Sequence, residues 1–217
     1  MPHRALSEKR PWLLASITAS LAYFVLRDEY VPGLALILLK GAGVGLLATY
    51  ALVRHPSRDA RHLAAIMGAA ALGDVVLELD LYWGGLAFFV SHVLALGLFL
   101  QPHNRRERLT GSQGAAAAAL LLGTPLLAWL LTLDWNAVLY CLALGGMAGA
   151  AWTSRFSRYH VGIGALFYVL SELVLLGQIG RPGPEPLAGI LVWPCYYLAQ
   201  FLICTGVIQT LRRDHEA

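Results

Sequence analysis

Four titratable side chains interrupt runs of the sequence that are otherwise apolar: Lys40, Asp74, His92 and Glu172. An ionisable group at the centre of a membrane-spanning helix costs about 2.5 to 3.5 kcal/mol and is by default a functional candidate with a buried partner. Counted inward along helices at about 1.5 Å per residue, all four lie roughly 11 to 15 Å from one face of the apolar slab. The sequence therefore predicts that four helices bring their polar groups to one layer.

Two further carboxylates stand close to Asp74 in the stretch AALGDVVLELDLYW, residues 70–83. Glu78 follows Asp74 by four residues and so shares its helix face, whereas Asp80 is expected at the interface near the end of the run. Lys40 is thus the one buried cation for three acids, Asp74, Glu78 and Glu172, and for His92. At least one of these carboxyl groups is therefore neutral or is met by water or substrate. This imbalance favours acid–base chemistry by carboxylates.

Other uses of the same residues stay open at this stage. A buried ion-pair network around Lys40 is the structural alternative, and a proton or cation relay in a transporter is the functional one. A metal site would combine His92 with Asp74 and Glu172, but we expect neither a metal nor another cofactor. Nucleophilic catalysis by Ser171 is weak, because no GxSxG, P-loop, HExxH or CxxC motif is present. A retinal-type Schiff base has only Lys40 and a carboxylate in its favour.

The composition indicates which elements must position these groups. The chain of 217 residues is 58% hydrophobic and only 13% charged, which is typical of a polytopic membrane protein. Apolar runs of about 20 residues are long enough to cross roughly 30 Å of hydrocarbon. We predict an all-α fold with a single transmembrane domain over residues 1–217 and eight spans. Their approximate bounds are 12–26, 31–53, 63–81, 84–100, 114–133, 136–153, 161–178 and 187–211.

Basic residues indicate how the spans are oriented, because Lys and Arg concentrate in short cytoplasmic loops. Of the 16 basic residues, 13 lie at the two termini and in alternate loops, and Lys40 lies within a span. The opposite side has only Arg27 and Arg181. We therefore predict that both termini are cytoplasmic, that topology explains every loop arginine, and that the net charge of +3 is not a nucleic-acid surface. The three cysteines, Cys141, Cys195 and Cys204, lie in spans, so we expect no disulfide.

Aromatic residues and one amide add polar groups near the ends or within the spans. Four tryptophans are expected as anchors at the membrane interface: Trp12, Trp83, Trp135 and Trp193. Hydrogen-bonding side chains that could complete a cavity for a lipid are Tyr140, Tyr196, Tyr197 and Gln200. Packing, interface anchoring and helix-to-helix hydrogen bonds are the alternatives for these residues.

An ordered set of short motifs carries a resemblance to a known family. They are GD at residues 73–74, FFVSH at 88–92, GALFYVLSE at 164–172 and YYLAQ at 196–200, with Lys40 and Tyr140 also at familiar places. In this order the motifs resemble the YhhN family of eight-span membrane proteins, which includes the animal lysoplasmalogenases. The chain departs from the family pattern at Glu172, where Asp is common, and at Gly41, where Pro is usual. Glu78 matches no family position that we recognise.

The resemblance implies hydrolysis of the vinyl ether bond of a lysoplasmalogen, a lysophospholipid, to a fatty aldehyde and a glycerophospho-head group. This reaction needs a neutral acid and a nearby carboxylate, which an apolar interior and a lysine can supply. We expect Asp74 as the principal acid, Glu172 as the stabilising anion, His92 as a proton relay or head-group contact, and Lys40 as counter-charge or phosphate contact. Further substrate contacts are expected from Glu78, Tyr140, Ser171, Tyr196, Tyr197 and Gln200. The expected location is a bacterial plasma (inner) membrane, with the lipid bilayer as surroundings.

Overall fold

The structure is a computed structural model that describes residues 11–29, 32–180 and 186–216. Its described part contains eight α-helices: α1 (Pro11–Leu26), α2 (Gly33–Arg54), α3 (Arg58–Leu77), α4 (Leu81–Leu100), α5 (Gly111–Thr132), α6 (Trp135–Thr153), α7 (Ile163–Gly180) and α8 (Pro186–Glu216). A short 3-10 turn covers Pro102–Asn104, and a π-helical turn over Arg158–Gly162 leads into α7. Four basic residues used to predict the topology lie outside the described residues: Arg4, Lys9, Arg10 and Arg181.

Six of the described helices are long and apolar enough to cross a membrane, and they are α2, α3, α4, α5, α7 and α8. Helix α1 is shorter, with 16 residues. Helix α6 has 19 residues but is rich in Gly and Ala, which are less apolar than Leu or Ile. The all-α class and a polytopic membrane architecture are thereby confirmed, and the number of eight spans stays a prediction.

Helix α3 begins and ends earlier than the predicted span 63–81. It begins after Ser57, whose hydroxyl accepts a hydrogen bond of 3.1 Å from the Ala60 amide. At the other end, the Val76 carbonyl accepts from the amides of Leu79 at 2.9 Å and Asp80 at 2.8 Å, and the helix stops. The helix and the predicted span differ because hydropathy marks the apolar part of a helix and not its caps, and the bounds of the span itself stay a prediction.

Other helix ends show the same difference between an apolar run and a hydrogen-bonded helix. Helix α5 begins with a capping box, in which Thr110 and Gln113 satisfy each other's backbone amides. Helix α8 continues past the predicted end at Leu211, where Arg212 and Glu216 form an ion pair of 3.3 Å one helical turn apart. Polar residues therefore extend a helix beyond the segment that a bilayer requires.

The chain divides into two compact units, which are described separately. Unit 1 comprises the described residues up to Ser91 and those from Leu211 onward, and unit 2 comprises His92–Thr210. The division falls within α4, between Ser91 and His92. In unit 1, α2 packs against α1 and α3; in unit 2, α5 packs against α6 and α7, and α6 also packs against α7.

Glycines allow helices in each unit to approach closely. In unit 2, a Cβ added to Gly149 would lie 2.9 Å from the Ala117 carbonyl oxygen, and one added to Gly145 would clash with the Leu120 carbonyl. Gly145 and Gly149 are four residues apart and so face α5 together, the arrangement by which small residues bring membrane helices together. In unit 1, a Cβ on Gly41 would clash with Val75, so α2 and α3 touch beside Lys40 and Asp74.

The outer surface of the helices suits lipid. On α5, the exposed side chains of Leu122, Leu126 and Leu130 recur every four residues and form an apolar stripe. Trp12, Trp83 and Trp135 are exposed at helix ends, where tryptophan anchors a protein at the interface. Trp193 was predicted in the same role, and this prediction is wrong because the side chain is 6% exposed.

Two loops of unit 2 are joined by specific hydrogen bonds. The Arg155 side chain donates from Nε to Oδ1 of the buried Asn104 at 2.8 Å, and Arg106 donates from Nε to the Ser154 carbonyl at 2.6 Å. An isolated antiparallel bridge between Arg105 and Ser154 adds backbone pairing. The prediction that topology alone explains the loop arginines is therefore wrong for Arg106 and Arg155, because both also hold these loops together.

Candidate functional site

Unit 1 holds a buried lysine paired with a carboxylate. The Lys40 side chain of α2 donates from Nζ to Oε1 of Glu78 at 2.5 Å, and its ammonium lies 5.7 Å from the centre of the Tyr23 ring. Lys40 is 8% exposed, whereas the Glu78 side chain is 39% exposed. An ion pair of this kind offsets part of the cost of removing the ammonium from water. Glu78 is thus joined to Lys40 at the end of α3.

Asp74 lies one turn earlier on α3 and is almost completely buried, with 1% of its surface exposed. It lies on the part of α3 that packs against α2 beside Lys40, where a Cβ on Gly41 would clash with Val75. A carboxyl group in such a position needs partners or a proton, because an isolated buried anion is strongly unfavourable. Asp80, in contrast, is exposed and accepts a hydrogen bond of 2.9 Å from the Trp83 amide, so it begins α4.

Residues of two sequence motifs pack together around Asp74 in unit 1. A Cβ on Gly73 would lie 2.9 Å from the Phe88 ring, so only glycine leaves room for this ring next to Asp74. The Ser91 hydroxyl donates to the Ile66 carbonyl at 3.0 Å and fixes α4 against α3. The GD and FFVSH motifs therefore position Asp74 through packing as well as through their polar residues.

Unit 2 holds a second polar cluster, a chain of three side chains from three helices. The Tyr140 hydroxyl donates to Oε2 of Glu172 at 3.0 Å, and Nε2 of His92 lies 3.1 Å from the same hydroxyl oxygen. His92 and Glu172 are 1% and 6% exposed. A phenol between an imidazole and a carboxylate links the two titratable groups through hydrogen bonds that protons can follow.

The direction of these hydrogen bonds assigns the histidine tautomer. Because the Tyr140 proton is donated to Glu172, the hydroxyl oxygen accepts from His92 and the imidazole carries its proton on Nε2. The other ring nitrogen, Nδ1, is buried and has no hydrogen-bond partner within the described structure. Buried polar atoms are usually hydrogen-bonded, so Nδ1 is the nitrogen of His92 that its contacts within unit 2 leave able to accept a hydrogen bond.

An aromatic shell surrounds this chain. The Tyr168 ring meets the His92 ring edge to face with centroids 4.9 Å apart, and the Gln200 amide donates to the Tyr168 hydroxyl at 3.1 Å. Tyr196 continues the shell at 5.4 Å from Tyr168. Such contacts fix the plane of the imidazole.

Tyr197 and Ser171, which were predicted as substrate contacts, have structural contacts in unit 2. Trp193 stacks on Tyr197 with ring centroids 6.4 Å apart, and it also contacts Tyr196, which explains why Trp193 is buried. The Ser171 hydroxyl donates to the Val192 carbonyl at 2.9 Å and ties α7 to α8. These contacts account for the packing of both residues, and their contact with a substrate stays a prediction.

The predicted catalytic residues thus fall into two clusters, each within one unit. Unit 1 brings together Lys40, Asp74 and Glu78, and unit 2 brings together His92, Tyr140 and Glu172. A single layer containing all of them stays a prediction, as do their catalytic roles. Among the described residues, no group of three His, Cys, Asp or Glu side chains is arranged as metal ligands.

Two residues of the clusters, Tyr168 and Tyr23, were not predicted from the sequence. Tyr168 lies four residues before Glu172 on the same face of α7, and this spacing within GALFYVLSE was a usable signal. Tyr23 approaches Lys40 from α1. Its place in an ordinary apolar run gives no signal, because only the packing of α1 on α2 brings the two side chains together.

Apolar helices with ionisable groups buried between them define a polytopic membrane protein with polar clusters in its interior. Residues 35–207 match the family model of the YhhN family, and the chain therefore belongs to this family. The resemblance inferred from the motifs is thus confirmed. Comparisons with curated proteins and with solved structures find no match.

Proposed function

We propose that the protein is a membrane-embedded hydrolase that cleaves the vinyl ether bond of lysoplasmalogens. Family membership supports this class of reaction, and the observation that carries it is the buried chain of His92, Tyr140 and Glu172 with its unsatisfied Nδ1. Acid–base chemistry requires such positioned and desolvated titratable groups.

The reaction consumes one water molecule. The proton that the acid donates to the substrate is replaced by the proton that the added water releases. A neutral acid donates a proton to the β-carbon of the vinyl ether, which leaves an oxocarbenium ion at the carbon next to oxygen. Water adds to that carbon and loses a proton, giving a hemiacetal. The hemiacetal then collapses, its C–O bond breaking, to the fatty aldehyde and the hydroxyl of the glycerophospho-head group. The protein has to supply a proton donor, a proton acceptor and a stabilising negative charge.

In unit 2, the hydrogen bond from Tyr140 suits Glu172 to the role of the anion, because it stabilises the charged carboxylate. Such an anion would stabilise the oxocarbenium ion. The unprotonated Nδ1 of His92 suits the role of the atom that accepts a proton from water. The Nε2 proton, donated to Tyr140, keeps Nδ1 in the accepting state.

In unit 1, Asp74 is the proposed proton donor, because its burial in an apolar helix favours the neutral acid. The other carboxylate of that cluster, Glu78, is paired with Lys40 and is partly exposed. Asp74 is therefore the more deeply buried carboxyl group of the two. Variants of unit 1 and of unit 2 therefore test the two clusters separately.

The finer architecture belongs to the same proposal. We assign eight spans with both termini in the cytoplasm of a bacterial cell, and a lysophospholipid that enters from the bilayer. Arg58 and Arg61 lie in the first turn of α3, and Arg108 lies between the 3-10 turn and α5; basic residues near helix ends support this orientation.

The test is release of free aldehyde by purified protein from a lysoplasmalogen, with the matched ester lysolipid as the control substrate. We expect aldehyde from the vinyl ether alone. Asp74→Asn and Glu172→Gln should each reduce turnover by about 10² to 10⁴, the usual contribution of general acid–base catalysis. Asp80→Asn is the matched control, because its amide oxygen still accepts from Trp83, and it should leave turnover unchanged. Wild-type turnover in the Asp74 variant would remove that residue from the chemistry, and absence of aldehyde would refute the function.

A further inference from the structure

Unit 2 carries a group of arginines at one end of its helices, in the two loops that join α4 to α5 and α6 to α7. They are Arg105, Arg106, Arg108, Arg155 and Arg158. The bridge between Arg105 and Ser154 pairs the two loops, so the arginines of both lie at the same end of unit 2. We call this group the arginine surface.

The two loops are fixed against each other, which gives the arginine surface a defined shape. The backbone amide of Arg155 donates to the Asn104 carbonyl at 2.9 Å, and its Nε donates to the Asn104 side chain at 2.8 Å. Asn104 is fully buried, and its amide nitrogen donates to the Leu98 carbonyl at 3.0 Å. Membrane topology requires positive charge near a helix end but does not require such an arrangement. The loops therefore have a structure beyond what orientation explains.

Arg106 and Arg158 bring two like charges together on this surface. Arg106 donates from Nε to the Ser154 carbonyl at 2.6 Å and from Nη2 to the Phe156 carbonyl at 3.4 Å, so it lies on the loop that carries Arg158. Burial and the positive charge of Arg158 both lower the pKa of the Arg106 guanidinium below its usual value. Within the described residues, neither arginine forms an ion pair with a carboxylate. Two neighbouring guanidinium groups without a counter-ion favour a bound anion.

The charge at this end of unit 2 is strongly positive. The acidic residues of unit 2 that the structure describes are Glu107, Asp134 and Glu172. Asp134 precedes α6 at the opposite end of that helix, and Glu172 lies within α7. In the described part of unit 2, Glu107 is thus the only acid that accompanies the five arginines. Arg27 of unit 1 differs, because the adjacent Asp28 is its ion-pair partner at 3.3 Å.

Exposed apolar side chains alternate with these charges and indicate what kind of anion fits. Tyr159 follows Arg158 and is 84% exposed, and the exposed Leu109 follows Arg108. Three of the four helices that end here, α4, α5 and α7, are apolar and long enough to cross a membrane. Their ends lie where lipid phosphates are found, and tyrosine is enriched at this level. Arginines beside exposed apolar residues therefore suit a phospholipid better than a soluble acidic molecule.

We propose that the arginine surface binds the head group of an anionic phospholipid of the surrounding bilayer. Arg106 and Arg158 are the phosphate contacts, and Arg105 and Arg108 add positive charge around them. The excess of arginine selects an anionic lipid over a zwitterionic one, because the cationic group of a zwitterionic head is repelled. This lipid is a bound component of the membrane and not a substrate. The interaction is independent of the proposed hydrolysis, since no residue of either polar cluster takes part.

The experiment measures lipid binding by the full-length protein in detergent. Phosphatidylglycerol and phosphatidylcholine with identical acyl chains are the probes, because both contain a phosphodiester and only the first has a net negative charge. Each lipid displaces a fluorescent phosphatidylglycerol from wild type, Arg108→Gln, Arg158→Gln, Arg158→Lys and Glu107→Gln. Arg106 is left unchanged, because its bonds to the loop would be lost with its charge. Arg61→Gln is the matched control, because Arg61 is exposed on α3 in unit 1.

Wild type should bind phosphatidylglycerol about 10-fold more tightly than phosphatidylcholine, or better. Arg108→Gln and Arg158→Gln should each weaken binding of phosphatidylglycerol by about 5-fold, the usual effect of one basic residue near an anionic membrane. Their affinity for phosphatidylcholine should stay unchanged. Arg158→Lys should keep most of the preference, and Glu107→Gln should strengthen it. A thermal melt of each variant separates loss of binding from loss of folding.

Three results would overturn the proposal. They are equal affinity of wild type for the two lipids, wild-type affinity of Arg158→Gln for phosphatidylglycerol, and equal losses in Arg158→Gln and Arg61→Gln, which would indicate net charge and not a site. A competition arm tests the other occupants with inorganic phosphate, a short RNA and a polyglutamate peptide. Weak competition by all three supports a lipid, whereas competition as strong as that of phosphatidylglycerol by any of them would overturn the lipid as occupant.

Discussion

The Tyr140 hydroxyl and the Glu172 carboxylate form a hydrogen bond of 3.0 Å between α6 and α7, and the same hydroxyl oxygen lies 3.1 Å from His92. One phenol therefore determines both the state of the carboxylate and the tautomer of the imidazole. In the proposed function, Tyr140 is a positioning residue, because its hydroxyl contacts Glu172 and His92.

Tyr140→Phe should preserve the fold and reduce turnover. The ring and its 5.1 Å contact with His92 remain, while the donor to Glu172 and the acceptor for His92 are lost. Loss of one hydrogen bond to a charged group costs about 1.5 to 3 kcal/mol, which corresponds to about 10-fold to 150-fold in rate. The pH profile should also change, because Glu172 and His92 lose their common partner. An unchanged pH profile with normal turnover would exclude a positioning role.

Replacing Glu78 should destabilise the protein through Lys40. Glu78→Gln leaves a buried ammonium without its ion pair, yet Glu78 is 39% exposed and water compensates part of the loss. We expect more than the roughly 0.2 to 1 kcal/mol of a surface pair and less than the roughly 3 to 5 kcal/mol of a fully buried one. Thermal unfolding in detergent measures this change.

The double variant Lys40→Met/Glu78→Leu is the control for that interpretation. It removes both charges and should recover part of the stability lost in Glu78→Gln, since apolar replacement of a buried pair is often neutral. With Lys40→Met and Glu78→Leu as the single variants of the cycle, losses that add up to the loss in the double variant would show that Lys40 and Glu78 do not interact.

The GxxxG pair of α6 gives a stability prediction with an internal control. Alanine at Gly145 places a Cβ against the Leu120 carbonyl, and alanine at Gly149 places one 2.9 Å from the Ala117 carbonyl. Each should destabilise unit 2 by about 1 to 3 kcal/mol, the usual cost of overpacking. Gly123→Ala, where a Cβ meets nothing within 4 Å, should be neutral or slightly stabilising. Equal melting temperatures for the variants of Gly123 and Gly149 would contradict the close packing.

Much of the fold followed from hydropathy, whereas the polar clusters did not. The apolar runs predicted the helices, because burial in lipid requires each span to be apolar along its length. Glu78 was expected to share a regular helix face with Asp74, but the break after Leu77 directs it to Lys40. The burial of Trp193 was also unpredictable. Both depend on contacts between distant segments, which local patterns do not record.

The motifs predicted the composition of the sites better than their arrangement. Tyr140 and Glu172 were both selected from the sequence, but their hydrogen bond required the packing of α6 against α7. In the sequence, Arg27 and Arg106 were used only to predict the orientation of the spans. An arginine outside a span has the same sequence pattern whether its side chain is solvated or bonded to a particular residue. Sequence patterns therefore located the ionisable groups and did not predict which of them meet.

A histidine at the end of α2 should make stability depend on pH. His55 lies outside the membrane-spanning helix, and burial, with the positive charge of neighbouring His215 and Arg212, lowers its pKa below the usual 6.5. Asp214 and Asp59 act in the opposite direction and are outweighed. The folded state therefore binds fewer protons than the unfolded chain, so stability is fully present above about pH 6.5 and is lost as pH falls below it.

Thermal unfolding at pH 7.5 and at pH 5.5 measures this effect. His55→Gln should have a smaller difference in melting temperature between the two conditions than wild type. His103→Gln, in the exposed loop after α4, is the control and should keep the wild-type difference. A wild-type pH dependence in His55→Gln would assign the titration to another group.

The most direct test of vinyl ether hydrolysis is the isotopic composition of the aldehyde formed in D₂O. Protonation at the β-carbon places one solvent hydrogen on C2 of the product, so aldehyde trapped immediately as a hydrazone should be one mass unit heavier than aldehyde formed in H₂O. Mass spectrometry of the trapped product gives this value for the wild-type protein, with aldehyde incubated alone in D₂O as the exchange control. One deuterium at C2 is the predicted result. Enzymatic aldehyde without deuterium at C2, or no aldehyde at all, would contradict hydrolysis by carbon protonation.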